Sequence, residues 1–191
     1  MSRPPRPARD TVLEAAAAVL ATNPGASLGD IAAAAGVGRT TVHRSFPTRA
    51  ALLTALTLQA VDRLRAALDD ARPGDGSALQ AIERVVTVVL PLADQLHFLD
   101  AGPEVWDLPE LRDAWWSVAG VLDALVERGQ RDGDIRADLP AEVIVEAFTG
   151  MIWGVWSGVR DGRIARATAA RHLVTLTLGG ITPGGSAAGR P

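Results

Sequence analysis

Apolar residues in this chain fall on helical spacings. Ile31 and Ala35 stand four apart, as do Val42 and Phe46, and Leu111, Trp115, Val118, Leu122 and Leu125 follow a four-three rhythm. Each spacing returns its residues to one face of a helix. No stretch alternates long enough to build a sheet, and no internal repeat is present. The pattern predicts helices over 10–21, 28–35, 39–45 and 49–71, then 77–98, 104–107, 109–131, 141–161 and 164–179. Proline and glycine punctuate it. Arg72-Pro73-Gly74-Asp75-Gly76 reads as a break and a domain boundary. The proline-rich start, 1–8, reads as a disordered basic arm, and the Gly- and Pro-rich end, 182–191, as a disordered tail.

Residues 27–46, SLGDIAAAAGVGRTTVHRSF, hold two short helices around a tight turn. Ser27 can cap the first helix, with Asp30 three positions on to complete a capping box. Gly36 stands where that helix must stop and the backbone must turn left-handed. Val37 plugs the turn into the core, and Gly38 can cap the second helix. Val42 and Phe46 face inward, leaving Arg39, Thr40, Thr41, His43, Arg44 and Ser45 off the apolar stripe. Pro47 ends the helix, and Thr48 caps a further helix that starts at Arg49. A short helix, a glycine turn and a second helix with exposed basic and hydroxyl groups predict a helix-turn-helix whose second helix enters the DNA major groove.

The run AAAAGVGRTTVHRSFPTRAALLTAL resembles the DNA-binding signature of the TetR family of transcriptional regulators, and residues 10–21 are similar to that family's first helix. The close match covers the first quarter to third of the chain. It departs at four positions: Gly38 where the family commonly has Ser, His43 for Tyr, Ser45 for His and Arg49 for Lys. The resemblance implies an all-α protein. A DNA-binding domain with the helix-turn-helix would span 9–64, and a helical ligand-binding and dimerisation domain 65–181. It also implies pairing of the last two long helices into a four-helix dimer interface.

Charge adds to this picture. The net charge is −3, but residues 1–50 carry six arginines against three acids. A basic head on an acidic body suits one end facing phosphate; an ordinary solvated face is the plainer account. Arg3, Arg6 and Arg9 on the arm could reach DNA, or simply be solvated. All 19 basic residues are arginine, and there is no cysteine, which excludes disulfide and thiolate chemistry. No apolar run reaches the length of a membrane span and no signal-peptide pattern opens the chain, so the expectation is a cytoplasmic protein without a membrane partner. An enzyme finds no support. The sequence offers no nucleophile–His–acid set, no phosphate-cradling loop, no metal-ligand spacing and no cofactor motif.

Three C-terminal features carry information. Gly150, Gly154 and Gly158 recur every four residues in the penultimate helix, a smooth strip for close helix approach at a dimer interface or inside one subunit. All five tryptophans, Trp106, Trp115, Trp116, Trp153 and Trp156, lie in this half. Large flat apolar surfaces suit an aromatic or lipophilic ligand, although the rings could equally fill the core. Trp115 belongs to the buried stripe. Pro91 must bend or break its helix, opening space beside Gln95, His97 and Phe98.

The resulting expectation is a homodimeric repressor that binds a near-palindromic double-stranded operator and is released by a small apolar or aromatic effector. An effector-independent architectural DNA-binding protein is the alternative. Ser27, Thr41, His43 and Arg49 would hold phosphates, and Arg39, Thr40 and Arg44 would meet base edges. The ligand pocket would draw on Gln95, His97, Phe98, Trp106, Trp116, Met151 and Trp153, and the dimer on Gly150, Gly154 and Gly158.

Overall fold

In the computed structural model, residues 8–92 and 109–183 are described. Among them are eight α-helices and no strand: α1 (Ala8–Thr22), α2 (Leu28–Ala34), α3 (Arg39–Ser45), α4 (Arg49–Ala71), α5 (Ala78–Val89), α6 (Pro109–Asp132), α7 (Ala141–Arg160) and α8 (Arg166–Ile181). The all-α expectation holds. The helix expected over 77–98 is shorter as an α-helix, because Pro91 has no N–H to continue the ladder. It ends at Val89 and tightens into a 3-10 turn, Leu90–Leu92. Residues 93–98 and the element expected at 104–107 lie outside the described residues.

Two compact units emerge: residues 8–61 with 109–113, and residues 62–92 with 114–183. The divisions fall inside α4 and inside α6. The first unit packs α1, α2, α3 and the start of α4 around one apolar cluster. Val12, Leu13, Ala16 and Leu20 come from α1, Ile31 and Ala32 from α2, Val42 from α3, Phe46 from just beyond it, and Leu52, Ala55 and Leu56 from α4. Their spacing of three and four places each set on one face, so burial of that face is what holds three short helices together.

The second unit is built around α5, whose Ala78, Ala81, Ile82, Val85, Val86 and Val89 are all buried. α8 packs on both α5 and α7. The break at Arg72–Gly76, expected to be a domain boundary, lies inside this unit. Arginines stitch it down. Arg84 donates to the carbonyls of Ala71 (2.7 Å), Arg72 (2.9 Å) and Asp75 (2.6 Å). Arg128 donates to Pro73 and Gly76, both at 2.8 Å. These partners lie far along the chain, so a local reading of the turn residues could not reveal them. Along the expected stripe of α6, Val118 and Leu125 are buried and Trp115 and Leu122 half-buried in this unit, while Leu111 is buried in the first.

Candidate nucleic-acid interface

The α2–turn–α3 segment is assembled by local hydrogen bonds. Ser27 Oγ accepts from the Asp30 N–H (3.2 Å), and the Asp30 carboxylate accepts from the Ser27 N–H and hydroxyl, both at 2.8 Å. This closes the capping box. These bonds hold the Asp30 carboxyl below the usual carboxylate range, with a smaller contribution from the charge of Arg39. At the other end of α2, the Gly36 N–H donates to Ala33 O and the Val37 N–H to Ala32 O. That pair of bonds is a Schellman stop, and Gly36 takes the left-handed backbone it requires, with φ +65.

Gly38 opens α3, and Val42 and Phe46, both buried, key the helix into the first unit. With those two positions fixed, the opposite face points outward: Arg39, Thr40, His43 and Arg44 are exposed, and Thr41 and Ser45 are half-buried. Ser27 is exposed at the head of α2. Arg9, expected on the N-terminal arm, lies in the first turn of α1 and sits over the Phe46 ring at 5.0 Å. It braces the end of α3 from a helix far away in sequence, a pairing no spacing rule could have found. Arg3 and Arg6 lie outside the described residues.

Two expected contact residues carry internal duties as well. The guanidinium of Arg49 donates to Ala26 O (3.5 Å) and to Pro24 O, fastening the start of α4 to the α1–α2 connection. Arg39 lies against α2 rather than standing straight off α3: a Cβ on Gly29 would meet its Nε and Nη2 at 3.3 Å. Thr48 Oγ1 accepts from the Ala51 N–H at 3.0 Å and caps α4 as expected.

In the second unit, Gln95, His97, Phe98 and Trp106 of the expected pocket lie outside the described residues. Trp116 is 64% exposed, and Met151 and Trp153 are half-buried. Trp153 meets Trp156 edge-on at 5.5 Å, and Arg160 lies over the Trp156 ring at 4.9 Å. Trp156, which sequence reading did not place in the pocket, forms part of the wall of a cavity of about 150 Å³. The cavity opens where α5 gives way to the 3-10 turn, beside Leu90 and Pro91, and is closed by Val159, Ala169 and Ala170. This cavity borders Pro91 together with residues of α7 and α8; the space expected beside Gln95, His97 and Phe98 lies outside the described residues.

The glycine strip divides. Gly150 and Gly154 are exposed, and a Cβ on either would meet nothing within 4 Å. Gly158 is buried, and a Cβ there would stand 2.6 Å from Ile164 Cδ1. Its carbonyl accepts from the N–H groups of Arg163 and Ile164. Gly158 therefore packs against the α7–α8 turn within its own subunit, the alternative the sequence left open for the strip.

The family model for bacterial regulatory proteins of the tetR family matches residues 12–56, the helices just described. The HTH-type transcriptional repressor LfrR of Mycolicibacterium smegmatis is 36% identical over 174 residues, covering 91% of this chain and 90% of LfrR. This chain belongs to the TetR family of transcriptional regulators. A second relative of this TetR-family regulator, the HTH-type transcriptional regulator NfxB of Pseudomonas aeruginosa, is 30% identical and covers 91% of the chain and 94% of NfxB. The crystal structure of LfrR from Mycobacterium smegmatis in complex with proflavine superposes with a TM-score of 0.77 at 32% identity, covering 92% of this chain and 97% of that one. The ketosteroid regulator KstR2 of Mycobacterium tuberculosis shares the fold, with a TM-score of 0.78 at 19% identity over 94% of this chain and 97% of that one. No helix among the described residues of this TetR-family regulator is long and apolar enough to cross a membrane.

Proposed function

We propose that this TetR-family regulator is a cytoplasmic homodimeric repressor that holds a near-palindromic operator through α3 and releases it when a small apolar or aromatic molecule binds the second unit. The observation that carries the DNA reading is the two-sidedness of α3. Val42 and Phe46 lock one face into the core, while Arg39, Thr40, His43 and Arg44 stand on the other. In this reading Arg39, Thr40 and Arg44 meet base edges, and Ser27, Thr41, His43 and Arg49 lie against phosphates.

The ligand reading draws on the Trp153–Trp156 pair and the cavity beside Pro91, and on a repressor relative crystallised with the planar aromatic proflavine. The 150 Å³ space suits a single ring, and in this reading Gln95, His97, Phe98, Trp106, Trp116, Met151 and Trp153 also contribute to the ligand site. The dimer reading draws on α7, where the spacing puts Val143, 48% exposed, on one face with the open backbones of Gly150 and Gly154, and on α8, where Leu176 is 60% exposed. Exposed apolar side chains beside bare glycine suit close pairing of helices across a two-fold axis.

Selection from a random pool of duplexes tests the central claim. The expected product is a near-palindrome whose half-sites lie roughly 34–36 Å apart. A protein that enriches no sequence, or enriches single half-sites alone, would not be a dimeric operator-binding repressor.

A further inference from the structure

Gly29 is the second residue of α2, where nothing in its backbone calls for glycine: its φ lies outside the positive range that other residues avoid. Alanine would serve the helix better. What glycine provides here is room. A Cβ at this position would come within 3.3 Å of Arg39 Nε and Nη2 and 3.4 Å of Cζ, so the guanidinium of the first residue of α3 rests on the bare flank of α2. The next residue, Asp30, holds a carboxylate fixed by Ser27, which gives that flank a charge complementary to the arginine.

We infer that Gly29 is a positioning residue for operator readout: by lacking a side chain it seats the Arg39 guanidinium on α2 and so sets the side from which that group meets the DNA. The inference rests on the proposed role of α3. Arginine has a long, freely rotating stem, and a head already held in one place loses less freedom when it engages a base or phosphate. Arg39 then acts as a group carried jointly by both helices of the motif, and the distance between α2 and the DNA becomes part of what it reads.

Gly29→Ala tests this. The new methyl is tighter than an ordinary contact, but it meets the far end of a flexible side chain, so Arg39 shifts and the fold stays. The thermal midpoint is expected to stay or rise, since alanine favours the helix. Affinity for the operator selected by the unaltered protein is expected to fall about three- to tenfold, and the fall should vanish when Gly29→Ala is made together with Arg39→Ala. A structural role alone would move stability and binding together and would persist without Arg39. Operator affinity of Gly29→Ala equal to that of the parent, or a loss of the same size with and without Arg39, overturns the inference. If the parent protein selects no operator at all, the DNA-binding reading fails and this inference falls with it; a normal operator for the parent with no effect of Gly29→Ala sinks this inference alone.

Discussion

Ile164 occupies the space that a side chain on Gly158 would need, its Cδ1 lying 2.6 Å from where a Cβ would stand. The turn from α7 to α8 folds back tightly enough that a methyl on Gly158 would force the Ile164 side chain to shift. Gly158→Ala is therefore expected to destabilise the protein by about 1–3 kcal/mol, the usual cost of forcing atoms into a filled site. Gly154→Ala, with open space around it, should leave stability unchanged or raise it by up to about 1 kcal/mol. Thermal or denaturant unfolding of the two variants checks the contrast, and equal effects would contradict it.

Gly154→Leu probes assembly. A Cβ at this exposed position meets nothing within 4 Å in its own subunit, so a folded monomer is the expected background. Across a two-fold axis it would separate helices that need to approach closely. The expected outcome is a folded monomer by sedimentation with most operator affinity gone, because a single half-site binds weakly. A variant that remains dimeric would place the interface elsewhere.

Arg44 and Arg49 should separate readout from scaffold. Arg44 is exposed and Arg49 is tied to Ala26 and Pro24. Arg44→Ala is expected to leave the melting midpoint alone and to remove about 1–3 kcal/mol of discrimination between operator and unrelated duplex. Arg49→Ala is expected to cost about 1 kcal/mol of stability through the lost carbonyl bonds. It should also weaken all sequences alike, lowering the salt slope by about one. Competition binding at several salt concentrations, alongside melting curves, distinguishes the two; a sequence-dependent loss at Arg49 would sink its phosphate role.

Two carboxylates should give opposite pH signatures. The Asp30 carboxyl is held below its unfolded value of 3.8 by its bonds to Ser27. Its stabilising effect is therefore present above pH 3.8 and is lost as pH falls through the lower folded value. Asp123 is shifted the other way, first by burial and then by the charges of Glu127, Glu142 and Glu146. It weighs against folding once pH rises above 3.8 and it is forced to ionise. Melting midpoints followed against pH should show Asp30→Asn less stable than the parent and Asp123→Asn more stable at neutral pH. The Asp123 difference should close below pH 3.8, and the Asp30 difference only at still lower pH, below its depressed folded value. A Asp123→Asn advantage that persists in acid would point to packing rather than charge.

The proposed release of operator by a ligand can be tested through the tryptophans. Proflavine, the ligand crystallised with LfrR, is expected to quench emission saturably through the Trp153–Trp156 pair. Binding should weaken in the presence of operator, relative to a scrambled duplex of the same length, by about 1–3 kcal/mol of coupling. The scrambled duplex accounts for the dye that DNA itself takes up. Trp153→Phe should change the dye affinity and leave operator affinity in its absence untouched. An affinity for dye that ignores the operator would rule out release by this route, because linkage makes the effect reciprocal.

Much of the DNA-binding head was legible in the chain because its determinants are local. The Ser27–Asp30 box closes over three residues, the Gly36 stop over five, and Val42 and Phe46 share a face by helical geometry alone. Such features depend on backbone and near neighbours, so the order of residues settles them before any distant part of the chain is placed. Tertiary packing decided what periodicity leaves equal. Gly150, Gly154 and Gly158 read as one strip, yet only the return of Ile164 separates an internal contact from an open face. The seat of Arg39 on Gly29, the brace of Arg9 on Phe46, the stitching of the Arg72–Gly76 turn by Arg84 and Arg128, and the place of Trp156 in the cavity wall arise in the same way. Each joins residues on different elements. Which side chain fills which gap follows from how whole helices pack, and the spacing of residues within any one helix does not carry that information.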